Sequence, residues 1–187
     1  TGVQTCALPI SNDCYVCEIP PGKSLAPHRQ LFEEMVLVLD GRGSTTVWNK
    51  AGARVSFEWQ AGAMFAIPLN CWHRHFNGSG TNAARYVAVT NGPAVMNLYD
   101  DPEFVFGHDY DFKNRFTGEP DYFTAKGEQK GFLLETNFIP DAVNLPLIEA
   151  KERGAGGGHI RFNMAKGSIP SHISQFAVGT YKKAHAH

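Results

Sequence analysis

The stretch PGKSLAPHRQLFEEMVLVLDGRG, residues 21–43, places polar side chains at short, even steps immediately before an apolar run. His28 and Gln30 are two positions apart, so they point to the same face of an extended segment. Glu34 lies on the next predicted strand, where it shares one face with Val36 and Val38. A turn between Gln30 and Glu34 would bring the three polar side chains together at the mouth of a barrel.

Residues 12–98 consist of short apolar-rich runs separated by turn sequences. The predicted strands, in chain order, are CYVCEI, EEMVLVLD, STTVWN, RVSFEW, AMFAIP, HRHFN and RYVAVTN. Between them stand DGRG, NKAG, QAG and NGSG, which are typical of hairpin turns. Short strands at this spacing predict an all-β sandwich or barrel. We expect Phe65, Ile67 and Trp48 to line its interior.

The composition excludes several classes of partner. The chain has 187 residues, with 17 Lys and Arg against 18 Asp and Glu, so its formal net charge is -1. This balance gives no electrostatic basis for binding nucleic acid or an anionic membrane. No apolar run approaches the roughly 20 residues that a membrane helix needs.

The cysteine pattern does not indicate a redox pair. Cys14 and Cys17 form a C-x-x-C within a predicted strand. Positions three apart on a strand face opposite sides, so the two thiols should diverge. We therefore expect free thiols and a reducing, cytoplasmic setting.

A second pair of polar residues, His73 and His75, lies two positions apart in CWHRHFN, after a proline. Imidazole nitrogens, one carboxylate and one amide oxygen together suit a mid- to late-transition metal. The same residues can instead satisfy one another by hydrogen bonds, without a metal. His75 is either a group that handles protons or supports the metal ligands, or a buried core histidine.

Two ordered motifs in residues 22–77 resemble those of the cupin superfamily. The first motif has Gly, His-x-His, Glu and Gly at fixed spacings, matched here by Gly22, His28, Gln30, Glu34 and Gly41. The second has Gly, Pro-x-Gly, His and Asn, matched here by Gly62, Pro68, Asn70, His73 and Asn77. Gln30 replaces the second His of the first motif, and Asn70 replaces the middle Gly of the second. Asn tolerates a left-handed backbone, so the turn at Asn70 should survive.

The resemblance implies an all-β cupin double-stranded β-helix, or jelly-roll barrel, with one complete barrel plus the start of a second. It implies a divalent metal ion held by His28, Gln30, Glu34 and His73. Fe(II) is favoured, and Mn(II), Zn(II) and Ni(II) are alternatives. His75 is the candidate catalytic residue.

The implied function is that of a metal-dependent bicupin, an oxidoreductase of the dioxygenase type. Its small-molecule substrate would be an organic acid, such as a hydroxylated aromatic acid. A cupin decarboxylase, a sugar-phosphate isomerase and a non-catalytic small-molecule-binding cupin are the alternatives. The full-length protein is expected to form a homo-oligomer and to bind neither nucleic acid nor membrane.

The chain ends suggest a division into segments. TGVQTCALPI at the start resembles the translation of a common sequencing adapter, so residues 1–11 are interpreted as a non-native leader. Residues 12–98 are then the first barrel, residues 99–155 a connector that packs aromatic side chains on it, and residues 156–187 the truncated start of a second barrel. Gly179, His185 and His187 repeat the opening of the first motif and predict a partial second metal site. We expect strands in residues 158–187 to lack most of their sheet partners.

Overall fold

The computed structural model describes residues 11–149 and 157–180. Each of the seven predicted strands is present, as β1 (Asp13–Ile19), β2 (Glu34–Asp40), β3 (Arg42–Trp48), β4 (Arg54–Gln60), β5 (Met64–Ile67), β6 (Trp72–Asn77) and β7 (Ala84–Thr90). The turn and alternation signals therefore predicted this part of the fold correctly. The predicted leader lies almost wholly, and His185 and His187 wholly, outside the described residues.

Two antiparallel sheets form the jelly-roll barrel. One sheet has the strand order β1-β7-β2-β5-β10, where β10 is Phe138–Ile139, and the other has the order β4-β3-β6. Alternate residues of both sheets meet in a common core, which includes Val36, Val47, Phe57 and Phe65. Burying this apolar surface between the sheets is the main force that closes the barrel.

Trp48 does not line the barrel, contrary to the prediction. Its neighbour Val47 is fully buried, so alternation along β3 turns Trp48 to the outer face. There its ring stacks on Trp72 with the centroids 6.2 Å apart. The Arg54 guanidinium lies 4.9 Å from the Trp48 ring.

Two backbone positions at the barrel depend on their residue type. Asn70 has φ +57°, which confirms that the second motif turns through a left-handed residue. At Gly43, a Cβ atom would lie 2.0 Å from the backbone oxygen of Phe76 and 2.4 Å from the Trp59 ring. Gly43 therefore provides the space that the Trp59 indole occupies at one end of the core.

The region after β7 contains more regular structure than the sequence predicted. Two short helices follow, α1 (Gly92–Tyr99) and α2 (Pro102–Gly107). Four further strands and β13 then form a third sheet: β8 (Gly127–Lys130), β9 (Leu133–Thr136), β11 (Ile148–Glu149), β12 (Gly158–Asn163) and β13 (Ser171–Gln175). In addition, Phe116, Tyr122 and Phe123 pack into the barrel core, as expected for an aromatic-rich connector.

The expectation that the late strands lack partners is wrong for β12. It pairs with β13 and β11 in antiparallel fashion and with β9 in parallel. The partner strands β9 and β11 come from residues 99–155, which the sequence analysis assigned to the connector. The third sheet also covers the outer face of the first, where Met35, Met64 and Ala66 pack with Ile160 and Phe162.

Glu33 ties the third sheet to the barrel. Its Oε2 atom accepts hydrogen bonds from the backbone N and the Oγ of Ser168, both at 2.7 Å. Its Oε1 atom lies 3.3 Å from Nη2 of Arg115. Because Glu33 directly precedes Glu34, this cluster also anchors the start of β2.

The remaining sequence predictions concern thiols and membrane helices. Cys14 and Cys17 are free, with Cys14 exposed and Cys17 partly buried, which agrees with a divergent pair. None of the described helices has the length and apolarity to cross a bilayer.

Candidate metal centre

Two histidines from different parts of the chain are held side by side by a backbone bridge. His28 N donates to His73 O at 3.1 Å, and His73 N donates to His28 O at 2.9 Å. The two imidazole centroids are consequently 4.1 Å apart, with a T-shaped arrangement. This bridge joins the loop before β2 to strand β6 and explains why both motifs converge at one place.

Both imidazoles present a free lone pair at the same ring position. Nδ1 of His28 lies 3.1 Å from Ala26 O, and Nδ1 of His73 lies 3.1 Å from Cys71 O. A carbonyl oxygen only accepts hydrogen bonds, so each Nδ1 carries the proton and each Nε2 carries a lone pair. Burial, reinforced by His28 and His75, holds the pKa of His73 well below its usual range, so His73 is neutral.

Glu34 supplies a buried carboxylate next to these rings. It is only 2% exposed, and burial raises its pKa, against the lowering effects of Tyr15, His28 and Gln30. Tyr15 OH donates to Oε1 at 3.0 Å and Gln30 Nε2 donates to Oε2 at 2.8 Å. Each carboxylate oxygen is thus fixed by one neutral donor, and each retains a lone pair.

The structure brings three of the four predicted ligands together. One ligand atom each from His28, Glu34 and His73 lies within 4.8 Å of the others. Gln30 contacts this group through its hydrogen bond to Glu34, and its Oε1 is buried without a hydrogen-bond partner in the described part of the chain. The predicted set therefore lies at one site, with Gln30 attached to it through Glu34.

These groups fit a divalent cation. Nε2 of His73 and Oε1 of Gln30 are buried acceptors that no donor satisfies within residues 11–149 and 157–180. In the same ranges, Glu34 forms no ion pair with any Lys or Arg. Leaving such acceptors and a carboxylate buried and uncompensated is costly. A cation bound by His28, Glu34 and His73 would satisfy the His73 nitrogen and the Glu34 carboxylate together.

His75 lies beside the group without belonging to it. Its ring centroid is 5.5 Å from that of His73 and 5.2 Å from that of Tyr86. Nδ1 of His75 is 2.7 Å from Thr45 Oγ1, which also accepts a hydrogen bond of 2.8 Å from Trp59 Nε1. Burial, reinforced by His28, lowers the pKa of His75 to about 3, so the ring is neutral.

Sequence reasoning missed Tyr15, Thr45 and Trp59. Tyr15 reaches Glu34 because β7 lies between β1 and β2 and places the small residue Ala88 opposite both Tyr15 and Val36. That strand order depends on long-range pairing, which no local motif reveals. Thr45 pairs directly with His75 across β3 and β6. The inward alternation of β3 was the one available signal for Thr45.

The comparison with known families agrees with this geometry. Residues 15–90 match the family described as Cupin domain. These residues are a cupin domain. Among curated proteins, the 5-aminosalicylate 1,2-dioxygenase of a Comamonas species is 28% identical over 85 residues, which make up 46% of this chain. The aligned residues of this chain span only 21% of that relative's length.

Solved structures with a similar arrangement include two enzymes and a plant protein. An oxalate decarboxylase from Lactobacillus farciminis, as a formate complex, is 25% identical with a TM-score of 0.42, covering 44% of this chain and 25% of its own. A recombinant oxalate oxidase with glycolate is 24% identical with a TM-score of 0.41, covering 43% and 42%. The vicilin of Corylus avellana (hazelnut) is 20% identical with a TM-score of 0.41, covering 43% and 22%.

Proposed function

We propose that the cupin domain is a metal-dependent oxidoreductase of the dioxygenase type that acts on a small organic acid. The observation that carries this proposal is the buried group of His28, Glu34 and His73, with its ligand atoms within 4.8 Å of one another. Two imidazoles and one carboxylate with further positions open are typical of non-haem Fe(II) oxygenases. The similarity to a 5-aminosalicylate 1,2-dioxygenase supports a hydroxylated aromatic acid as the substrate class.

Each residue has a distinct proposed role. His28 and His73 would bind the metal through Nε2, and Glu34 would bind it through a carboxylate oxygen. Gln30 holds Glu34 in orientation through Nε2 and offers Oε1 as a fourth ligand. Fe(II) is the favoured ion, and when bound it would supply the redox chemistry that reaction with dioxygen requires. Mn(II), Zn(II) and Ni(II) are the alternative ions, with Mn(II) suited to a decarboxylase and Zn(II) to a sugar-phosphate isomerase.

The test measures metal content and oxygen consumption together. The full chain is purified without oxygen, loaded with Fe(II) and mixed with 5-aminosalicylate in an oxygen electrode. We expect stoichiometric iron and substrate-dependent oxygen uptake. Both should be lost in His73→Ala and kept in His172→Ala, which alters an exposed histidine of β13. Stoichiometric iron without oxygen uptake would contradict the dioxygenase proposal.

A second candidate is a small-molecule-binding cupin without catalysis. The observation that favours it is the 2.8 Å hydrogen bond between Gln30 and Glu34, because it shows that the polar group partly satisfies itself. Metal analysis separates the two candidates. A protein that binds 5-aminosalicylate equally well before and after treatment with a chelator would support the binding function.

We also propose that the complete protein is a bicupin, with residues 12–98 as the first barrel, 99–155 as the connector and 156–187 as the start of the second. Its support is the repeated spacing of Gly179, His185 and His187. Expression of the uninterrupted gene, followed by metal counting, would test it. Two equivalents of metal per chain are expected if the second site is complete, and one if it is not.

A further inference from the structure

We propose that Thr45 and Trp59 hold His75 in the tautomer that carries its proton on Nε2, so that His75 donates a hydrogen bond to an oxyanion of the molecule bound beside the metal ligands. In this assignment His75 is a donor to the substrate and does not act as a base. The placement of that molecule rests on the proposed function. The tautomer itself follows from hydrogen bonds within the cupin domain.

The first step is the direction of the hydrogen bonds at Thr45. An indole N–H can only donate, so Trp59 Nε1 occupies one lone pair of Thr45 Oγ1, at 2.8 Å. Thr45 is fully buried, and its remaining partner in the described chain is Nδ1 of His75, at 2.7 Å. The hydroxyl has one proton of its own, and His75 Nδ1 is the acceptor available to it.

The second step compares the two possible tautomers of His75. If Nδ1 carried the proton, Thr45 Oγ1 would accept two hydrogen bonds and its own proton would be buried without an acceptor. An unsatisfied buried donor is unfavourable. If Nε2 carries the proton, Trp59 donates to Thr45 and Thr45 donates to Nδ1 of His75. Among the described residues this tautomer leaves one group of the three side chains unpaired, the N–H of Nε2, whereas the other tautomer leaves both the Thr45 hydroxyl proton and the Nε2 lone pair unpaired.

The third step is the contrast with the neighbouring histidines. His28 and His73 direct Nδ1 at carbonyl oxygens, which leaves each Nε2 as an acceptor suited to a metal. His75 directs Nδ1 at a hydroxyl, which makes its Nε2 a donor. His73 and His75 are two residues apart on β6, but their Nδ1 atoms have different partners. The carbonyl partner makes Nε2 of His73 an acceptor, and the hydroxyl partner makes Nε2 of His75 a donor.

The fourth step identifies the ligand chemistry. Nε2 of His75 is buried and has no partner within residues 11–149 and 157–180. A buried N–H in this position is satisfied by an acceptor on the bound molecule, and a carboxylate or phenolate oxygen forms the stronger, charge-assisted hydrogen bond. The cupin domain should therefore prefer an acid over its neutral amide. Thr45 and Trp59 are positioning residues in this scheme, because they act through His75.

The tautomer can be measured directly, without turnover. In the full chain labelled with ¹⁵N, long-range proton–nitrogen correlations distinguish protonated from unprotonated imidazole nitrogens, and His75→Gln assigns the His75 signals. We expect a protonated Nε2 and an unprotonated Nδ1. Thr45→Ser should preserve this pattern, whereas Thr45→Val removes the hydroxyl that donates to Nδ1 and should allow the other tautomer. A protonated Nδ1 in the unaltered protein would overturn the proposal.

Binding tests the role of the donor. The probes are 5-aminosalicylate and its carboxamide, titrated into the Zn(II)-loaded protein. His75→Leu should weaken binding of the acid by about 10- to 100-fold, the loss typical of a hydrogen bond to a charged group. His75→Gln, which retains an N–H, should lose several-fold less, and neither variant should alter binding of the amide as strongly. Equal affinity of His75→Leu and the unaltered protein for the acid would refute the donor role. Absent oxygen uptake with Fe(II), combined with the expected tautomer and acid preference, would refute the dioxygenase and leave this inference standing.

Discussion

Glu33→Ala tests whether the third sheet is an integral part of the folded chain. The substitution removes the acceptor of two 2.7 Å hydrogen bonds from Ser168 and the partner of Arg115 at 3.3 Å. The Glu33 side chain is 12% exposed and that of Arg115 is 20% exposed, so water replaces these contacts poorly. Glu33 and Ser168 lie 135 residues apart in sequence, so their hydrogen bonds stabilise tertiary structure rather than local structure.

The expected loss in the free energy of unfolding is about 3 kcal/mol. Breaking a buried charge pair by removing one partner costs roughly 3–5 kcal/mol. The lower value applies because Nη1 of Arg115 keeps the backbone oxygens of Ala165 and Lys166 as acceptors. For a domain of this size, the loss corresponds to a fall in Tm of about 6–12 °C.

The control is the ion pair between Glu18 and Arg85. Its atoms are closer, at 2.7 Å, but the two side chains are 52% and 54% exposed. Exposed pairs contribute little, so Glu18→Ala should change the unfolding curve barely or not at all. Urea unfolding followed by tryptophan fluorescence compares the variants, and hydrogen exchange at Ser168 reports on the cluster itself. If Glu33→Ala destabilises no more than Glu18→Ala, the reasoning from burial is wrong.

Three further predictions concern single residues near the site or core. Tyr15→Phe removes the 3.0 Å hydrogen bond to Glu34 and should weaken metal affinity about tenfold, measured by chelator competition, with little change in Tm; unaltered affinity would show that Tyr15 does not orient the carboxylate. Asn70→Ala should destabilise the chain more than Asn70→Gly. Both variants lose the hydrogen bonds to His108 O and Tyr110 O, but only Ala adds about 1–2 kcal/mol of backbone strain at φ +57°. Equal unfolding midpoints of the two variants would contradict this. Gly43→Ala should cost about 3 kcal/mol or more, because its Cβ would lie 2.0 Å from Phe76 O, whereas Gly80→Ala has nothing within 4 Å and serves as the control in the same thermal unfolding experiment.

The strands of the barrel could be predicted from the sequence because the signals that specify them lie within short stretches of the chain. Alternation and turn residues specify each of the seven strands, and the spacing of His28, Gln30 and Glu34 requires only one turn to converge. The second motif predicted that His73 joins these residues, and a backbone bridge holds His28 and His73 side by side. Trp48 was placed wrongly because its aromatic character was given more weight than the alternation with Val47.

Other features depend on pairing between distant segments. The third sheet joins β9 and β12 in parallel, which requires a long crossover and leaves no hairpin signature. The hydrogen bonds from Tyr15 to Glu34 and from Trp59 to Thr45 require the register of several strands to be known. These residues look like ordinary core aromatics in the sequence, and only the folded arrangement shows what their polar atoms contact.

The packing of the third sheet over Met35, Met64 and Ala66 determines how short an expressed fragment of this protein can be. A fragment limited to residues 15–90 would expose to solvent the apolar face that contains Met35, Met64 and Ala66, which the third sheet covers in the longer chain. Such a truncated fragment should aggregate during expression, even if the segments that carry His28, Glu34 and His73 remain folded. The packing of the barrel therefore extends beyond residues 15–90, and the limits of an expressed fragment should include the third sheet.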